Sequence, residues 1–143
     1  MKSMHLEQHD RRFELVNEGR ERWQFVSGGV PAYSPLEGIV GACGACGGYV
    51  FQDILLHSKV KAEVREIEVT YETKPSPAVH ALTALTLHFY VQAETPVDYE
   101  KAERYVKFVH RYCPVIQSLR EDIIITDQVH EYPMTPDNEA DNT

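Results

Sequence analysis

The 143-residue chain has no uninterrupted apolar run of about eighteen to twenty residues, the length a helix needs to cross a bilayer. Met1 to His9 also lacks the apolar core of a signal peptide, so the expected location is the cytoplasm, away from any membrane. Basic side chains are few: 14 Lys and Arg against 22 Asp and Glu leave a net charge of -8. No basic run offsets the resulting repulsion from a phosphate backbone, which argues against nucleic acid as a partner. Cysteine is limited to three residues. Without an export signal, lasting disulfides are not expected, and the thiols read as catalytic, redox-active or simply buried. Neither a glycine-rich phosphate loop in its proper flanking context nor an internal repeat is present. The histidines show no ligand spacing near the cysteines. His57 is the only sequence neighbour of Cys46 among them, and its ordinary role would be to cap a helix end. No metal or organic cofactor is expected.

A composition of 43% hydrophobic and 25% charged residues fits one soluble domain able to bury its own core. That single domain is expected over residues 1–132. Residues 133–143 are acidic, contain proline, carry almost no apolar side chains and are expected to form a mobile tail. Short strands are expected at His5 to Gln8, Phe13 to Asn17 and Arg22 to Val26, with a turn near Glu18 and Gly19. Ser34-Pro35-Leu36-Glu37 combines an N-cap, a proline at the first helical position and a capping-box glutamate. A helix should therefore run from Pro35 to His57. Its first half, GIVGACGACGG, is unusually rich in glycine, and each glycine costs about 1 kcal/mol against alanine. Close approach by other backbone to a smooth helix surface is the expected compensation.

Glu63 to Glu72 and Ala81 to Gln92 alternate apolar and polar residues and form an expected antiparallel pair, joined through Lys74-Pro75-Ser76-Pro77. Thr95-Pro96-Val97-Asp98 opens an amphipathic helix carrying Ala102, Tyr105, Val106, Val109, Tyr112 and Cys113 on one side. Pro114 interrupts it and opens a short helix through Leu119, followed by a last strand at Ile123 to His130. The order β-β-β-α-β-β-α-β is that of an α+β protein.

Cys113 stands where the short helix begins, so its sulfur should feel unpaired backbone N–H groups, a setting that favours thiolate. Cys46 lies deep in its own helix and would need a cation from elsewhere in the fold. Cys43 forms a C-x-x-C spacing with Cys46 on one helix face. Thioredoxin-type chemistry wants that motif at a helix N-terminus, so packing is the expected role of Cys43.

SPLEGIVGACGAC, Ser34 to Cys46, resembles the start of the central helix in the OsmC and organic-hydroperoxide-resistance family, and YCPVIQSL, Tyr112 to Leu119, resembles its second cysteine segment. The resemblance spans roughly Arg11 to Glu131. It implies an intertwined homodimer in which curved antiparallel sheets wrap a buried central helix from each subunit. It also implies a peroxidase serving the oxidative stress response. In that reading Cys46 attacks an organic hydroperoxide, Cys113 resolves the sulfenic acid, and a dithiol of the lipoyl type restores both thiols. The same fold with cysteines that oxidise without turnover would be a redox-sensing or ligand-binding protein. In the peroxidase branch an acidic residue directly follows the proline and holds a catalytic arginine. Here Leu36 has that place and Glu37 comes next, already explained as a cap. Arg11 and Arg12 occupy the region comparable to that arginine, and either an activating or a solvated role is open to them.

Overall fold

The computed structural model describes residues 1–75 and 79–133. Part of the expected turn after Lys74, and the expected mobile tail from 134 onward, lie outside the described residues. The chain divides into two compact units, Met1–Gly41 and Ala42–Thr143.

In the first unit, β1 (Leu6–His9) and β2 (Arg12–Leu15) are joined by Asp10 and Arg11, with φ of 50° and 65°. Positive φ at both central residues is the twist-matched geometry of a two-residue hairpin. β3 (Trp23–Val26) pairs antiparallel with β2, and the rings of Trp23 and Phe25 stack with centroids 5.3 Å apart. α1 (Pro35–His57) then begins at the expected residue. The Ser34 N–H donates to Glu37 Oε1 at 2.9 Å, and the Glu37 N–H donates to Ser34 Oγ at 3.1 Å. This is the reciprocal capping box read from the sequence.

In the second unit, β4 (Ala62–Thr73) and β5 (Leu82–Ala93) form a long antiparallel pair in which Ile67 faces Phe89 and Val69 faces Leu87. Leu85, Leu87, Phe89 and Val91 are buried, as their alternation requires. Each such side chain contributes about 1.5–3 kcal/mol when fully buried. Thr95 caps α2 (Pro96–Tyr105), its hydroxyl accepting from the Asp98 N–H. The chain then tightens into one 3₁₀ turn at Val106–Phe108 before α3 (Val109–Tyr112) and α4 (Pro114–Gln117). The expected unbroken helix is thus corrected. Through the tightening, Ala102, Val106, Val109 and Cys113 all stay buried. β6 (Ile124–Glu131) returns beside β5 and runs parallel to it, which corrects the expectation of purely antiparallel sheets. A helical crossover, unlike a tight turn, can bring the chain back in the same direction.

α1 is long and apolar enough, by length and composition, to cross a membrane, a property the count of uninterrupted apolar residues does not reveal. Its residues from Ala42 onward pack one face on the β4–β5 pair. A Cβ on Gly44 would stand 2.8 Å from Val69 Cγ2, and one on Gly47 would stand 3.1 Å from Leu87 Cδ1. One on Gly48 would collide with Ile67. The glycines therefore admit branched side chains of the sheet rather than the backbone expected from the sequence. One turn on, Phe51 meets Phe89 edge to face at 5.0 Å.

Candidate active site

Three free thiols gather in the second unit. Cys43 faces the sheet with the glycines and is fully buried. Burial pushes its thiol up first, and the neighbouring Cys46 adds to the rise. The complete burial of Cys43 is in keeping with the packing role expected of it. Cys46, one helical turn later, sits at the edge of the buried face and is partly exposed.

Cys113 stands between α3 and α4. The sequence Cys-Pro ends α3 because the residue before a proline is driven out of the helical region, and Cys113 has φ -85° and ψ 109°. At that bend its side chain is 0% exposed and close enough to Cys46 to feel its charge. Its thiol is pushed up to about 11. Burial is the largest cause, and the neighbouring Cys46 sulfur is the next. The N–H groups of Ile116 and Val115 act in the lowering direction but close no side-chain cap. The thiolate expected at Cys113 is therefore corrected. Desolvation of a buried sulfur outweighs a single turn of helix. At neutral pH Cys113 is therefore a protonated thiol, and Cys46 is the more exposed sulfur of the two.

The other residues singled out from the sequence belong to the first unit. Glu37 is engaged by Ser34 as a helix cap. Arg11 occupies the hairpin turn, and Arg12 donates to Gln24 Oε1 at 3.2 Å in an exposed contact. The arginine that meets a buried carboxylate there is Arg22, paired with Glu14. Gln24 also donates to Glu14, at 2.9 Å. These bonds, that of Gln24 first, hold the Glu14 carboxyl below the usual range against the effect of burial. Sequence reading missed this cluster. The only available signal was that Glu14 and Gln24 share one side of their strands, which a register alone discloses.

His57 Nδ1 lies 2.7 Å from the Asp53 carbonyl, the helix-end contact expected of it. A shallow groove of about 360 Å³ follows the helix strip one turn beyond Cys46, lined by Val50, Asp53, Ile54, His57 and Tyr112. Tyr112 directly precedes Cys113 in the chain, but no cysteine lines the groove. Larger clefts of about 620 and 510 Å³ lie around Lys59 to Glu63 and around Tyr99 and Glu131. Neither is lined by a cysteine. Among the described residues no group of three or more His, Cys, Asp or Glu side chains is placed to hold a metal ion.

A buried thiol next to a partly exposed one is an arrangement able to store two electrons as a disulfide. Solved structures with this fold include a putative osmotic stress induced and detoxification response protein from Psychrobacter arcticus, at 15% identity and a TM-score of 0.73, covering 91% of this chain and 96% of that one. An OsmC-like protein of unknown function from Vibrio cholerae superposes with a TM-score of 0.69 at 15% identity, over 91% and 100% of the two chains. The organic hydroperoxide resistance protein OhrB of Bacillus subtilis gives 0.62 at 15% identity, over 90% and 98%. At such identities the likeness is one of fold. No curated protein matches the sequence. The family model for OsmC-like proteins matches residues 27–126, which takes in Cys43, Cys46 and Cys113, and the chain belongs to the OsmC family.

Proposed function

We propose that this chain is a thiol-dependent peroxidase that reduces organic hydroperoxides through Cys46 and Cys113. The observation that carries the proposal is that the buried Cys113 thiol and the partly exposed Cys46, 67 residues apart in the chain, are near neighbours in the fold. In the first step the Cys46 sulfur attacks the outer oxygen of ROOH. The S–O bond forms, the O–O bond breaks, and ROH leaves with a proton. Cys113 then attacks the sulfur of the Cys46 sulfenic acid. The S–S bond forms, and the hydroxyl leaves as water with the Cys113 proton. A small dithiol, for which a lipoyl-type compound is the model, exchanges with the disulfide and returns both thiols. The apolar side of the groove, Val50, Ile54 and the ring of Tyr112, supports an organic peroxide over hydrogen peroxide.

The helix strip bearing Cys46 also exposes Tyr49 at 77% and Leu56 at 63%. Apolar side chains so exposed along one strip favour a homodimer in which a second copy covers them. The reading places the protein in the cytoplasm, in the response to oxidative stress. Purified wild-type chain with a dithiol and a panel of organic hydroperoxides tests it: peroxide is consumed, and consumption is lost in Cys46→Ser. No consumption by wild type across the panel overturns the peroxidase and leaves a sensing or ligand-binding protein on the same fold.

A further inference from the structure

Asp127 stands on the core-facing side of β6, opposite Leu87 of β5, and its side chain is 3% exposed. Its Oδ2 accepts from His110 Nδ1 at 2.6 Å. Its Oδ1 is buried with no hydrogen-bond partner among the described residues. Burial pushes the carboxyl above the usual range, and the histidine only partly opposes this. A carboxylate so placed costs stability against an apolar residue of similar volume, so stability does not account for its presence. What it does is hold the ring of His110, and His110 lies on α3 three residues before Cys113. A second contact closes on the same corner. Gln117 Nε2 donates to the His110 carbonyl at 2.8 Å, and the Gln117 N–H donates to the Cys113 carbonyl at 2.9 Å. The bend that carries the buried thiol is thus tied to β6 on one side and to α4 on the other.

We propose that His110, held by Asp127, is a positioning residue that keeps the Cys113 sulfur in line with Cys46 for closure of the disulfide. The inference rests on the two-cysteine cycle. Displacement at sulfur requires the attacking sulfur, the attacked sulfur and the leaving oxygen to lie near one line. A misplacement of about 1 Å can slow such a step about a hundredfold. The earlier attack of Cys46 on peroxide does not involve Cys113 and is not slowed by the same shift.

Full-length protein is mixed with one equivalent of cumene hydroperoxide and quenched at intervals with dimedone. Mass spectrometry then counts trapped Cys46 sulfenic acid and the Cys46–Cys113 disulfide. His110→Ala is expected to slow closure at least about tenfold while Cys46 oxidises at the wild-type rate. His110→Gln, whose amide can still donate to Asp127, is expected to restore most of the closure rate. Asp127→Leu, which keeps volume and removes the acceptor, is expected to behave like His110→Ala and serves if that variant does not fold. Closure at the wild-type rate in folded His110→Ala or Asp127→Leu overturns the proposal. So does equal slowing of both steps, or failure of His110→Gln to recover. A wild-type chain that oxidises at Cys46 yet never joins to Cys113 overturns the cycle itself, and that arm is read separately from the variants.

Discussion

Gly44 of α1 approaches Val69 of β4 so closely that a Cβ on the glycine would stand 2.8 Å from the valine Cγ2. Gly44→Ala should therefore destabilise the protein by about 1–3 kcal/mol, the usual cost of overpacking, although alanine is the better helix former. Gly41, on the same helix, has nothing within 4 Å of such an atom. Gly41→Ala should raise stability by about 0.5–1 kcal/mol. Urea denaturation of the two variants checks the pair, and the same sign for both would refute the packing described.

The three thiols should differ in reactivity in the order of their exposure. In native protein iodoacetamide should modify Cys46 first, with Cys43 and Cys113 protected until the chain unfolds. Peptide mapping after brief labelling reads this directly, and early modification of Cys113 would contradict its burial.

The raised Cys113 thiol links stability to alkaline pH. In the unfolded chain this thiol loses its proton near the ordinary value of about 9, and in the folded chain only near about 11. The folded state therefore binds more protons across that window, and stability falls as pH rises through it. Below about pH 9 both states are protonated and the effect vanishes. Cys113→Ala should flatten part of the decline in midpoint between pH 9 and 11, and an unchanged slope would count against the burial described.

The pairing of His110 on α3 with the buried Asp127 on β6 yields an asymmetric prediction. His110→Ala leaves a buried carboxylate without its donor and should cost about 1–3 kcal/mol. Asp127→Leu removes the carboxylate together with its orphaned oxygen and should cost less, or stabilise. Calorimetric midpoints at neutral pH compare them, and a larger loss in Asp127→Leu would refute the ranking.

Much of the architecture was legible in residues that act on near neighbours. Ser34 and Glu37 announced the first residue of α1 because both halves of the box lie within one turn. Leu85, Leu87, Phe89 and Val91 announced a half-buried strand because side chains alternate across a sheet with a period of two. The long helix after Thr95 was less legible. Periodic apolar spacing is compatible with either an α-helix or one tightened at Val106–Phe108, and packing chose the latter.

By itself, the sequence determined where the elements start and which faces are apolar, since caps, prolines and periodicity operate over a few residues. It also marked Cys46 and Cys113 as the segments to watch. Only the tertiary structure decided that β6 lies parallel to β5, that branched side chains of the sheet fill the glycine face, and that Cys113 is a buried thiol rather than a thiolate. It also placed the Asp127 carboxylate beside His110, though nothing in the local pattern of β6 marked it. The reason is physical. Burial and long-range pairing depend on which distant surfaces meet, and desolvation there exceeds the field of one helical turn.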